Sequence, residues 1–291
     1  MTAARPARLR VGVISAGRVG AVLGAALARA GHEIVATSAV SSESVRRAER
    51  LLPGVAIRPP TEVVEAADFV LLAVPDDALR ALVSGLASTD TWRAGQLVAH
   101  TSGAVGVSVL DPAAARGVLP LALHPAMTFA GRPEDLDRLG GAAFGVTAPE
   151  ELRPVAEALV VEIGAEPVWV PELARPLYHA ALTVGANHLV TIVNDALDLL
   201  ARAEVEHPAR LLAPLVSAAL DNALRLGDAA LTGPVSRGDA ATVRTHLATL
   251  AKEAPETVPA YIAMARRTAE RAVAAGRLRS EQADEIQEAL S

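Results

Sequence analysis

The sequence predicts an α/β doubly wound parallel sheet followed by an all-α C-terminal domain, and three observations carry that prediction. Short β-branched runs alternate with helical stretches from residue 9 to about 170. Strand character then stops near Pro171, after which only helical periodicity broken by Gly and Pro remains. The chain has 291 residues, 51% of them apolar, enough for two cores and too many for one ordinary core. The expected division is therefore residues 1–171 and 172–291.

In order, the β-branched runs predict strands over residues 9–14, 33–37, 55–57, 69–74, 97–100, 118–123, 143–147 and 167–170. Between them, helices are expected over 18–30, 44–52, 76–86, 108–115 and 150–163, placed on both faces by right-handed crossovers. In the second half the helical stretches are 174–203, 207–226, 239–250, 257–275 and 280–290.

Composition removes several function classes. Cysteine is absent, so disulfide scaffolds, thiolate zinc sites and cysteine nucleophiles are excluded, and no metal site is expected. A net charge of -6 leaves no basic surplus for neutralising phosphates, which argues against nucleic-acid partners. Residues 1–10 hold three arginines but no apolar run of signal-peptide length, and no stretch suits a membrane span, so the expected location is cytoplasmic.

The first strand runs directly into Ser15, Ala16, Gly17, Arg18, Val19 and Gly20, followed by an apolar helix. This is the strand, turn and helix order of a dinucleotide-binding loop, with Ser15 where the first glycine normally stands. Gly17 would let the backbone approach a pyrophosphate, Gly20 would let helix and strand pack closely, and the helix N-terminus would supply free N–H groups. The second strand ends without the carboxylate that an NAD site uses on the ribose 2′-hydroxyl. Ser38, Ser41 and Ser42, with Arg46 nearby, suit the 2′-phosphate of NADP(H) instead; the plainer alternative is a loop that caps the next helix.

Ligands of such sheets gather beyond the carboxyl ends of strands. Val74 and Pro75 are expected to shape the cofactor site, Thr101 and Ser102 to contact it, and His124, held by Pro125, to reach the substrate, whereas His100 reads as structural. On the first long helix of the second half, His179, Thr183 and Asn187 recur every four residues and Asn194 follows, a polar stripe that would be partly buried. The stripe either holds together an interhelical network or faces the cleft, with His179 as proton donor and Asn187 and Thr183 on the substrate oxygen. The turn at 231–239 adds Thr232 and Arg237 as substrate contacts, Arg237 suiting a carboxylate, while Asp239 reads as a helix cap.

Together the glycine loop, Val74-Pro75-Asp76-Asp77, His100-Thr101-Ser102-Gly103, His124-Pro125, Tyr178-His179-Ala180-Ala181 with Asn187, and residues 231–239 resemble a bacterial family with a Rossmann-like N-terminal half and a C-terminal domain of unknown function. A more distant resemblance is to the 6-phosphogluconate dehydrogenase-like superfamily, which includes pyrroline-5-carboxylate reductase and ketopantoate reductase. The resemblance implies an NADP-dependent reductase of a small carbonyl acid, ketopantoate in particular, and a homodimer formed through the C-terminal helices. The β-hydroxyacid members carry a Lys four residues before the helix Asn, where this chain has Thr183. An imine reductase, which needs no strong acid, and a non-catalytic NADP-binding sensor or assembly protein are the alternatives.

Overall fold

A computed structural model describes residues 8–291; the rest of the arginine-bearing N-terminal stretch lies outside the described residues. The chain divides into two units, one ending at Gly185 and the other running Ala186–Ser291. The expected boundary at Pro171 assigns the next helix to the second domain, yet that helix clusters with the sheet.

The first unit is built on seven strands: β1 (Arg10–Ile14), β2 (Glu33–Thr37), β3 (Phe69–Leu72), β4 (Leu97–His100), β5 (Leu119–Pro125), β6 (Ala143–Thr147) and β7 (Glu166–Trp169). Their order is β2-β1-β3-β4-β5-β6-β7. All neighbours run parallel except β5 and β6, which are antiparallel, so the doubly wound sheet is mostly parallel. The run at 55–57 is not a strand: only Ile57 bridges, to Thr37 beyond the sheet edge. Glycine and polar neighbours leave that run too short to extend a ladder.

Helices α1 (Arg18–Arg29), α2 (Ser42–Leu51), α3 (Pro60–Ala66), α4 (Asp76–Ser88), α5 (Asp111–Ala114), α6 (Glu134–Arg138) and α7 (Arg153–Glu162) connect the strands, and α8 (Arg175–Leu182) follows the last one. Alternation along the strands feeds two cores. Leu71, Phe69, Ala99 and Leu121 face one, and Val70, Leu72 and Val98 face the other. Each fully buried aliphatic side chain contributes roughly 1.5–3 kcal/mol.

Helix α3, which periodicity alone does not predict, explains a glycine inside β1. A Cβ on Gly12 would lie 2.7 Å from Val63 Cγ1 and 2.8 Å from the Val63 carbonyl oxygen. The strand thus packs against helix backbone, which cannot rotate aside.

The second unit contains α9 (His188–Arg202), α10 (Pro208–Leu226), α11 (Ala240–Glu253), α12 (Val258–Ala274) and α13 (Ser280–Ala289). Val243, Ala269, Ala272, Ile286 and Leu290 form its core, supplied by α11 to the C-terminus. By contrast, α9 and α10 bury no residue in this chain. Among the described residues no helix is long and apolar enough to cross a membrane.

Gly12→Ala is expected to destabilise the protein by about 1–3 kcal/mol, because neither clashing atom can yield freely. Urea denaturation followed by circular dichroism checks this; an unchanged midpoint would show that α3 moves aside at little cost.

Candidate functional site

The topological switch of the sheet lies at β1, whose neighbours β2 and β3 lead to opposite sides. At its carboxyl end Ser15 takes φ +78°, a left-handed conformation that glycine adopts without strain. Three hydrogen bonds hold it there. Ser15 N–H donates to Ser38 Oγ at 2.9 Å, Ala16 N–H donates to the Ser38 carbonyl at 2.7 Å, and Ser38 N–H donates to the Val13 carbonyl at 2.9 Å. Ser38 is thus a brace for the loop.

Gly17 is the N-cap of α1, which has no side-chain cap, so its first-turn N–H groups remain available to a ligand. Gly20 sits where a Cβ would collide with the Ser15 carbonyl oxygen and lie 2.9 Å from Ala73 Cβ. The close approach anticipated for this glycine therefore exists, between helix, turn and the end of β3. Val19 is half-buried and Arg18 exposed beside the loop.

Arg47, buried on α2, donates from Nη1 to the Ala16 carbonyl at 3.3 Å and pairs with Glu43. With Arg46, Arg50, Arg132 and Gly131 it lines a basic cavity of about 280 Å³. Arg46 is exposed and makes no ion pair among the described residues. Ser41 caps α2, its Oγ accepting from Ser44 N–H at 3.1 Å, as the plainer reading of the serine run requires, and Ser42 is exposed. Pro75, rather than Asp76, is the N-cap of α4, next to half-buried Val74. Thr101 N–H donates to the Leu72 carbonyl. Ser102 Oγ accepts from Ala104 and Val105 N–H and so shapes its own loop.

A second cluster forms beyond β4 and β5. His124 Nδ1 lies 2.8 Å from the Tyr178 hydroxyl, and its ring centroid lies 6.0 Å from that of His179. Gly103 separates the imidazoles: a Cβ there would lie 2.8 Å from His124 Nε2 and 2.9 Å from His179 Cδ2. Thr183 donates its hydroxyl back to the His179 carbonyl at 3.0 Å.

Beneath the cluster Arg175 is fully buried. Its Nε donates to Thr147 Oγ1 at 2.8 Å, Nη1 to the Ser102 carbonyl at 3.2 Å, and Nη2 to the carbonyls of Ala122 and Gly145 at 3.0 and 2.9 Å. All four acceptors are neutral. The Glu172 carboxylate instead accepts from Val107 and Ser108 N–H. Burial opposes its ionisation, yet those bonds and the Arg175 charge hold its pKa below the usual carboxylate range.

Burial, reinforced by Arg175, pushes the His124 pKa down to about 4. Burial does the same to His100, whose Nε2–H donates to the Gly106 carbonyl while Nδ1 accepts from Ser102 N–H, a structural role as expected. At neutral pH His124 is therefore a neutral imidazole, able to donate one N–H but not to act as an imidazolium acid.

Of the remaining predicted residues, His179 and Thr183 lie in the first unit, and Asn187, Asn194, Thr232 and Arg237 in the second. Residues Thr183–Asn187 form a π-helical turn, in which side chains four apart no longer stack, so the four-residue repeat does not fix Asn187 on the stripe. His179 and Thr183 are half-buried; Asn187 and Asn194 are exposed, against the expectation of a partly buried stripe. Thr232 lines a largely apolar cavity of about 410 Å³, whose walls include Asp195, His246, Tyr261 and Met264. Arg237 is exposed on a short turn, and Asp239 caps α11.

Sequence reasoning missed Arg175, Tyr178 and Arg47 as site-building residues. Arg175 and Tyr178 lay in view beside His179, but their sequence neighbours give no sign that one is buried and the other meets His124. Arg47 reads as one of several charges on a polar helix.

The depressed imidazoles give stability a defined pH dependence. Unfolded, both histidines bind protons near pH 6.5; folded, only near 4. Their neutral forms thus favour the fold above pH 6.5, and that advantage is lost as pH falls from 6.5 towards 4. Each is expected to contribute a slope of about 1.4 kcal/mol per pH unit within the window. Urea denaturation at pH 7, 5.5 and 4.5 measures it, and His124→Gln should remove half.

Residues 1–125 match the Rossmann-like domain family, and residues 142–268 match a domain of unknown function, DUF2520. No curated protein matches the sequence. Among solved structures, a candidate NADP oxidoreductase from Bacteroides fragilis is 23% identical with TM-score 0.76, over 90% of this chain and 98% of its own. A Thermotoga maritima protein is 19% identical, TM-score 0.65, over 91% and 98%. A reductive aminase from Aspergillus terreus, solved with NADPH and ethyl-5-oxohexanoate, is 17% identical, TM-score 0.65, over 97% and 99%. These share the fold over nearly their full lengths, and the chain joins a segment matching the Rossmann-like domain family to one matching DUF2520.

Proposed function

We propose that the protein is a cytoplasmic NADP(H)-dependent oxidoreductase that reduces a small carbonyl acid, with ketopantoate as the first substrate to test. One observation carries the reading: the Ser15–Gly20 loop at the switch point, braced by Ser38 and closed by the Gly20 contact, opens onto an uncapped helix N-terminus. The group fits this cradle, since the first-turn N–H groups of α1 have no side-chain cap and the glycine at 17 keeps the approach to them free of a side chain. The solved relatives described with NADP or NADPH add support.

In this reading the α1 N–H groups hold the pyrophosphate, while Ser42 and Arg46 take the 2′-phosphate. The bound dihydronicotinamide supplies a hydride. His124 offers its N–H at the end of β5, Gly103 leaves room for the substrate oxygen, and His179 borders the same gap. Asn187, Thr232 and Arg237, all in the helical unit, are the further candidates for substrate binding.

Imine reduction is the second reading. Its specific support is the lack of an acid: Thr183 replaces the Lys of β-hydroxyacid enzymes, and His124 is neutral at pH 7. Against it, the buried Arg175 charge that lowers the His124 pKa would equally disfavour a protonated imine placed there.

We also infer a homodimer through α9 and α10. Val190, Leu215 and Leu224 are 59%, 67% and 80% exposed, on two helices that bury no residue in this chain. A paired Leu215→Glu and Leu224→Glu substitution is expected to convert the dimer to monomer in light scattering after size-exclusion chromatography; a wild-type monomer at micromolar concentration refutes the assignment.

NADPH is expected to raise the melting temperature more than NADH, and Arg46→Glu to weaken NADPH about 10- to 100-fold while sparing NADH. No shift with either nucleotide would overturn the whole reading. Loss of NADPH absorbance with ketopantoate, and not with cyclic imines, would separate the two reactions.

A further inference from the structure

We propose that Tyr178 sits behind His124 as its tautomer lock and proton supply, with the buried Arg175 guanidinium balancing the phenolate that forms. The proposal rests on the carbonyl-reductase reading above.

The geometry is specific. The Tyr178 hydroxyl meets His124 Nδ1 at 2.8 Å with the rings at right angles, and Gly145 makes room for it, since a side chain there would overlap the phenol. No other acceptor for the half-buried phenolic O–H lies among the described residues, so donation to an unprotonated Nδ1 is the arrangement that leaves it paired. The proton of the neutral ring therefore lies on Nε2. Nε2 makes no hydrogen bond among the described residues and points at the space that Gly103 leaves empty beside His179. No buried side-chain nitrogen or oxygen lacks a partner in the described structure, so Nε2 is open to a ligand rather than sealed off.

The second observation is Arg175. Its Cζ lies 5.8 Å from the Tyr178 ring centroid, and it makes no ion pair among the described residues. A buried cation supported only by neutral acceptors is costly. An anion beside it during turnover would relieve that cost. Burial raises the Tyr178 pKa while the Arg175 charge opposes that shift, so the resting phenol is neutral and its anion would have that cation beside it.

The step balances. Hydride forms a C–H bond at the substrate carbonyl carbon, and the carbonyl π pair moves onto oxygen. That oxygen takes the proton from His124 Nε2, while Nδ1 takes the proton from Tyr178. The imidazole ends neutral in its other tautomer, the phenolate stays beside Arg175, and solvent reprotonates it after product leaves. The substrate is reduced and the dinucleotide oxidised. Tyr178 acts through His124 and is a positioning and proton-supplying residue rather than a catalytic one.

The charged and titratable groups bearing on the pair are Arg175, His179, Asp76 and His100 around His124, and Arg175 around Tyr178. Two experiments test the proposal. Nitrogen-15 NMR of the imidazoles should show His124 with its proton on Nε2 at pH 7, and Tyr178→Phe should give a mixture of tautomers at unchanged melting temperature. A wild-type ring protonated on Nδ1, or an unchanged tautomer in the variant, overturns the lock whether or not turnover is seen.

In turnover, Tyr178→Phe should lower kcat about 100-fold with the NADPH KM within twofold. Replacing the two tyrosines by 3-fluorotyrosine, a more acidic phenol, should move the alkaline limb of kcat to lower pH. An unchanged kcat, or an unmoved limb, overturns the proton supply. A wild-type protein inert towards every carbonyl tested would instead remove the reductase reading and the proton transfer with it, leaving NMR to decide the lock.

Discussion

The buried guanidinium of Arg175 organises the carboxyl-end face of the sheet. It reaches the Ser102 carbonyl after β4, the Ala122 carbonyl on β5, and Gly145 and Thr147 on β6. Those strands change direction at β5 and β6, and one planar group with five donors spans the change. Each of these bonds has a charged donor, of the kind that contributes about 1.5–3 kcal/mol. Burial keeps His124 neutral, and the same charge reinforces that effect while making the neighbourhood hospitable to negative charge. Structure and chemistry thus share one residue, and its position at the start of α8 ties that helix to the sheet.

Much of this fold is legible in the sequence, and the reasons are local. The loop at residues 15–20 reads correctly because strand, turn and helix leave marks at fixed spacing. The strands at 33–37, 97–100 and 143–147 stand at the expected residues because their β-branched runs end in unambiguous breakers. The run at 55–57 fails because a single bridge needs only one well-placed residue. Helix α3 escaped because it spans two turns behind a pair of prolines and has too few residues to show a period.

The site was less legible. The pairing of His124 with Tyr178 joins residues 54 apart, and nothing in either segment announces the other. The stripe on the long helix assumed uniform α geometry, whereas the π-turn at Thr183–Asn187 interrupts it. Such a turn depends on one carbonyl finding a partner a residue further along, which residue types alone do not encode. The serine run after β2 divided its labour in a way composition cannot reveal: Ser38 braces the loop and Ser41 caps a helix.

Gly131 deserves a separate thought, because its backbone threads between three arginines. Its φ is +73°, Arg50 donates to its carbonyl at 2.6 Å, and a methyl group there would press on Arg47 Nε at 2.5 Å and Arg18 Cγ at 3.2 Å. Arg47 is also the prop beneath the Ala16 carbonyl. A lesion in this loop between β5 and α6 would therefore be transmitted mechanically, through one displaced side chain, to the rim of the nucleotide cradle. A genetic screen would then score residue 131 as a ligand contact although it need never touch the ligand.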